Sequence, residues 1–106
     1  MKIHLTLELF ASPTLPYCEV SGEIDLVTVP TIGSGISFLF PNNRVLPINV
    51  ARFPGILRVT DVWFTPQGLG NPVTVKLEDL VLDSKADASA VMQFMERGFG
   101  LAGNVV

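Results

Sequence analysis

The chain contains one histidine, His4, and one cysteine, Cys18, and a thiol–imidazole pair is the first chemistry to weigh. A thiol becomes a nucleophile when a neighbouring base or positive field lowers its pKa. Glu19 follows Cys18 directly, and its charge disfavours a thiolate. One histidine and one cysteine are also too few for a zinc site. The residues predict a solvent-facing histidine, a half-buried structural cysteine, no catalytic residue, and no metal or cofactor.

The carboxylates form three groups: Glu23 with Asp25, Glu78 beside Asp79, and Asp61 alone inside an apolar run. Paired acids hydrolyse glycosides or hold hard cations. A spacing of two on a strand more simply puts Glu23 and Asp25 on its wet face. Asp61 shares a strand phase with Leu57 and Val59, which points it inward. A carboxylate placed there must be paired or hydrogen-bonded, and Arg58, Lys76 or a bulge amide are its candidate partners. If the strands enclose a pocket, Arg58 and Asp61 become the polar anchors of a small-molecule site.

Gly33-Ser34-Gly35 lies between strands and opens no helix, so it reads as a turn and not as a phosphate loop. Tyr17, Phe53, Trp63 and Phe64 offer an aromatic groove for a proline-rich peptide, but a small β domain needs such rings to fill its core. Two regions remain as binding candidates. The proline-punctuated loop from Asn42 to Phe53 sets Arg44 and Arg52 beside Leu46, Ile48 and Phe53, a mixture enriched at interfaces. The tail after the last helix carries Phe99, Leu101, Val105 and Val106, which either dock on a second copy or fold back onto their own domain.

The elements that must position these residues follow from periodicity. In Lys2-Ile3-His4-Leu5-Thr6-Leu7-Glu8-Leu9 every second residue is aliphatic, which puts Ile3, Leu5, Leu7 and Leu9 on the core face of a strand. The same alternation predicts strands over about 2–10, 19–29, 35–40, 55–65 and 73–82, with room for a short edge strand over 46–51. The residues from Ala11 to Tyr17 read as a loop because two prolines cannot donate to a ladder. Strands 55–65 and 73–82, separated by the turn cluster from Pro66 to Pro72, predict an antiparallel hairpin with a bulge near Asp61. Ser84 with Asp87 three residues on predicts a helix start. Ala88, Val91, Met92, Met95 and Phe99 then share one face of a helix over 85–97, with Gly98 ending it and an apolar tail over 98–106.

The 106 residues form one domain, large enough for a core without disulfides. Hydrophobic residues make up 48% and charged residues only 16%, which excludes disorder. No run approaches the roughly 20 apolar residues of a membrane-spanning helix, and His4, Thr6 and Glu8 interrupt any signal peptide. A lone cysteine suits a reducing compartment, so the expected location is cytoplasmic. Charge is uneven along the chain. Lys2 stands against four acids in residues 1–25, whereas Arg44, Arg52 and Arg58 are the only charges in residues 26–60. Strong nucleic-acid binding rests on about six to ten phosphate contacts, so three arginines argue against it.

The expected fold is therefore mostly β: a small five- to six-stranded antiparallel barrel with one C-terminal amphipathic helix. An α+β arrangement, an open twisted antiparallel sheet covered by the helix, is the alternative. A short barrel with a terminal helix is similar in layout to bacterial PilZ domains, which bind cyclic di-GMP. That family's motif, two arginines three residues apart followed by Asp/Asn-x-Ser-x-x-Gly, is absent here. Arg44 and Arg52 are spaced differently, and Ile32-Gly33-Ser34-Gly35 lacks the acidic lead. SH3-like barrels are similar in strand count alone. The expected function is non-enzymatic: protein–protein contact and self-association, with small-molecule binding as the alternative.

Overall fold

The computed structural model describes residues 1–41, 48–65 and 72–105. Its backbone is an eleven-residue strand, β1 (Lys2–Ser12), in which Ile3, Leu5, Leu7, Leu9 and Ala11 are all buried, as their alternation requires. The strand β2 (Leu15–Asp25) returns antiparallel to it, from Ser12 opposite Leu15 to Lys2 opposite Asp25. The expected loop over 11–17 is thus a two-residue turn, Pro13-Thr14, between paired strands. Pro16 is tolerated because it sits opposite Phe10 at a register irregularity, where a missing N–H costs no regular ladder bond.

β3 (Gly35–Ser37) is shorter than the expected 35–40, although the Phe38 amide still donates to Gly55 O at 2.6 Å. It pairs with β4 (Ile56–Phe64), and β4 forms the expected antiparallel hairpin with β5 (Val73–Leu77). The expected strand over 73–82 is divided into β5 and a two-residue β6 (Leu80–Val81). Residues 48–50 form no strand, and the rest of the possible strand over 46–51 lies partly outside the described residues.

The strand order is β3-β4-β5-β1-β2-β7, where β7 (Ala102–Val105) pairs with β2, and β6 pairs beside β1. Two expectations are corrected here. The sheet is mixed, because β5 and β6 both run parallel to β1. Alternation has the same period in parallel and antiparallel strands, so the sequence does not distinguish them. The sheet is also open: its end strands, β3 and β7, do not pair among the described residues, and no closed barrel forms.

The helix α1 (Lys85–Phe99) packs on β1, β2 and β7 through Ala88, Val91, Phe94, Met95 and Gly98. Ser84 caps it as expected, its hydroxyl accepting from the Asp87 amide at 3.1 Å. It runs past the expected end at 97. The C-cap is Gly100, in the left-handed region with φ 70°, and not Gly98, which is buried within the helix. The two extra residues bring Phe99 against Phe94 and Phe38, with ring centroids 5.6 Å and 4.9 Å away. Gly103 lets β7 lie close to the helix, since a Cβ there would stand 2.5 Å from Met92 Cγ.

Candidate functional site

The sheet separates Cys18 from His4. Cys18 lies opposite Leu9 on the core face of β2, 2% exposed. Burial, reinforced by the negative charge of Glu96, pushes its thiol up to about 11, the wrong direction for a nucleophile. His4 sits on the other face of β1, opposite Glu23. Five residues along a strand is about 17 Å, so distance and facing both keep imidazole from thiol.

Arg58 and Asp61 are both exposed. The expected bulge is present, but it falls one residue before Asp61. Val59 pairs with Leu77 and Asp61 with Lys76, leaving Thr60 as the extra residue. The insertion reverses the phase, so Val62 turns toward the core while Asp61 turns to water, against the inward placement that uninterrupted alternation predicts. Arg58 is committed to its neighbours: its amide donates to Glu78 Oε2 at 2.6 Å and its Nη1 to Gly33 O at 3.3 Å. In the Gly33-Ser34-Gly35 turn, the Gly33 amide donates to Val59 O and the Ser34 amide to Thr31 O. Those donors are therefore spent on the fold.

Of the five loop residues expected at an interface, Arg44 and Leu46 lie outside the described residues. Ile48 and Phe53 are half-buried against the domain's own core, and the Phe53 ring meets Phe94 edge-on at 5.8 Å. Arg52 is exposed and donates from Nε to Asp83 Oδ1 at 2.7 Å. The tail takes the second of its two expected courses and folds back. Phe99 packs on the core, Leu101 is buried, and Val105 pairs opposite Cys18 with its side chain exposed. Val106 lies outside the described residues. Leu101 is thus enclosed by its own domain, whereas Phe99 keeps part of its surface exposed.

A cleft of about 410 Å³ lies at the open seam of the sheet, lined by Glu23 to Leu26, Ile36 to Phe38, and Phe99. β7 covers β2 only from Cys18 to Ser21. The outer edge of β2 from Glu23 to Asp25, and that of β3, carry no strand partner among the described residues. The cleft therefore lies between two free strand edges. The spacing of Glu23 and Asp25 marks only the wet face of a strand and not the cleft, since a seam depends on how far β7 reaches along β2. The one local signal was the loss of alternation near Val27 and Val29.

Exposed large apolar side chains occur on β4, at Ile56, Trp63 and Phe64, and in the segments flanking β3, at Ile32, Leu39 and Phe40, with Phe40 84% and Phe64 67% exposed. β3 flanks β4 only over Ile56–Arg58, so beyond Val59 the far edge of β4 has no strand partner among the described residues.

No family model, curated protein or solved structure matches this chain.

The site must therefore be read from its own geometry. Among the described residues, no cluster of three or more His, Cys, Asp or Glu side chains is arranged to hold a metal ion. Nor is any helix long and apolar enough to cross a membrane.

Proposed function

We propose that the protein is a non-enzymatic, cytoplasmic interaction module that works by protein–protein contact and self-associates through the β3–β4 border. The observation that carries this reading is the number of large apolar side chains exposed on β4 and beside β3, together with the edge of β4 beyond Val59 that has no strand partner among the described residues. Unpaired N–H and C=O groups on an edge strand are a template for a second chain, and exposed apolar patches mark contact surfaces. The burial of Leu101 and the packing of Phe99 on the core support placing self-association on this border in preference to the tail. The buried, protonated thiol of Cys18 fits a protein that does no covalent chemistry.

Light scattering across a hundredfold range of concentration tests the reading, on the native chain and on the double variant Trp63→Ser with Phe64→Ser. The native chain should gain mass as concentration rises, and the variant should stay monomeric with unchanged far-ultraviolet circular dichroism. A native monomer throughout overturns self-association. A variant that associates as the native chain does removes the β3–β4 border from the interface.

A small-molecule reading is favoured by one observation, the 410 Å³ cleft, whose size falls in the range of ligand pockets. That reading moves from Arg58 and Asp61 to the seam.

A further inference from the structure

The seam cleft has the features of a place for one more strand. One wall is the β2 edge from Glu23 to Asp25, and the other is Ile36 and Ser37 of β3 with Phe38 after them. Three residues of extended chain span about 10 Å. Ile36 and Phe38 are buried beneath the cleft, and Ile24, Leu26 and Phe99 are half-buried around it. The side chains of a guest strand alternate, so one set would lie on this apolar floor and the other would face water.

Charge narrows the guest further. Among the described residues, Glu23 and Asp25 are the only ionisable ones lining the cleft. The N-terminal ammonium of Met1 stands 3.9 Å from Asp25, and Lys2 lies opposite it on β1. Glu23 has no ion-pair partner among the described residues. A guest with basic side chains on its outward positions would meet Glu23 and leave no carboxylate opposed by a like charge.

We propose that the seam between β2 and β3 binds an extended peptide segment that alternates apolar and basic residues and adds as a strand to both edges. The guest would bridge β2 to β3 and complete the ring of strands that the chain alone leaves open. This proposal stands apart from self-association through the β3–β4 border, and either can fail without the other.

The probe is the peptide acetyl-Lys-Val-Lys-Val-Lys-amide, titrated into the isotope-labelled native chain and followed by amide chemical shifts. The expected result is saturable movement of the Glu23–Leu26 and Gly35–Phe38 resonances. Affinity should fall about tenfold or more for the same peptide with glutamate in place of lysine, and by a similar factor when both valine amides are N-methylated. The variant Glu23→Gln with Asp25→Asn alters only exposed side chains, and should weaken the lysine peptide while keeping the native amide spectrum elsewhere.

Three results overturn the proposal. Absence of binding up to about 5 mM peptide, weaker than the range of ordinary recognition, leaves the seam without a guest. Equal binding of the N-methylated peptide removes the strand-addition geometry. Displacement of the peptide by butylamine at the same concentration makes the cleft a site for small organic cations, and returns it to the small-molecule reading.

Discussion

The β1–β2 hairpin and the described parts of the chain between β2 and β4 use their apolar residues in opposite ways. In β1 every inward aliphatic side chain is buried, and β1 is paired on both sides, by β2 and by β5 with β6. Between β2 and β4, only Ile36, Phe38 and a few half-buried residues reach the core, while Ile32, Leu39 and Phe40 face water. The first region is held by two-sided pairing and by the helix. The second is held by one three-residue strand and a few loop hydrogen bonds, such as Gly33 to Val59 at 2.8 Å. Stability and contact surface are therefore divided between different parts of one small sheet. Regions that open or bind are drawn from the less stable end of a structure.

The largest effects should appear where this division is challenged in the core. Leu7→Ala removes a fully buried side chain at the centre of β1 and should cost about 4 kcal/mol, whereas Ile36→Ala in β3 should cost about 2 kcal/mol. Urea unfolding of both variants checks this, and equal losses would show the two regions to be one cooperative block. Native-state hydrogen exchange sharpens the same point: the Leu5 and Leu7 amides should exchange only by global unfolding, and those around β3 through smaller openings.

A pH effect comes next. Cys18 has its thiol raised from 9.0 to about 11 in the fold, so the unfolded chain loses that proton first. Above about pH 9 the unfolded state binds fewer protons than the native state, and stability must fall as pH rises toward 11. Thermal melts of the native chain against Cys18→Ala isolate the effect from other groups titrating there. The variant should lose less stability between pH 8 and about 10.5, and parallel curves would mean that the thiol is wetter than its position indicates.

The smallest effect belongs to Arg52. Its ion pair with Asp83 is short but exposed on both sides, and pairs of this kind contribute about 0–1 kcal/mol. Arg52→Ala should lower the unfolding free energy from urea titration by no more than that. A larger loss would give the region between β2 and β4 an anchor that its burial does not suggest.

Local chemistry was legible in the sequence, and long-range arrangement was not. The alternation of Ile3 through Leu9, the Ser84 cap, the β4–β5 hairpin and the bulge near Asp61 each depend on neighbours a few residues apart, and each is present in the structure. Asp61 faces water, against simple alternation, because the bulge at Thr60 reverses every side chain after it. The helix passes Gly98 because the contacts of Phe99 with Phe38 and Phe94, distant or buried partners, reward two more residues. The seam cleft was invisible for the same reason. It depends on where β7 stops along β2, and no residue of β2 records that.

The parallel pairing of β1 with β5 also governs how the chain reaches this fold. His4 meets Thr74, seventy positions later in the chain, and Leu9 meets Leu80. The β1–β2 hairpin can zip early around its Pro13-Thr14 turn, but the other edge of β1 must wait for a distant segment to arrive. Loops of that length close at a large entropic cost, and folds dominated by such contacts assemble slowly. Until β5 docks, a strand with four of the most deeply buried aliphatic side chains in the protein presents an open ladder to any other copy nearby. The protein's period of greatest exposure to misassembly is therefore the interval between forming its most regular element and completing it.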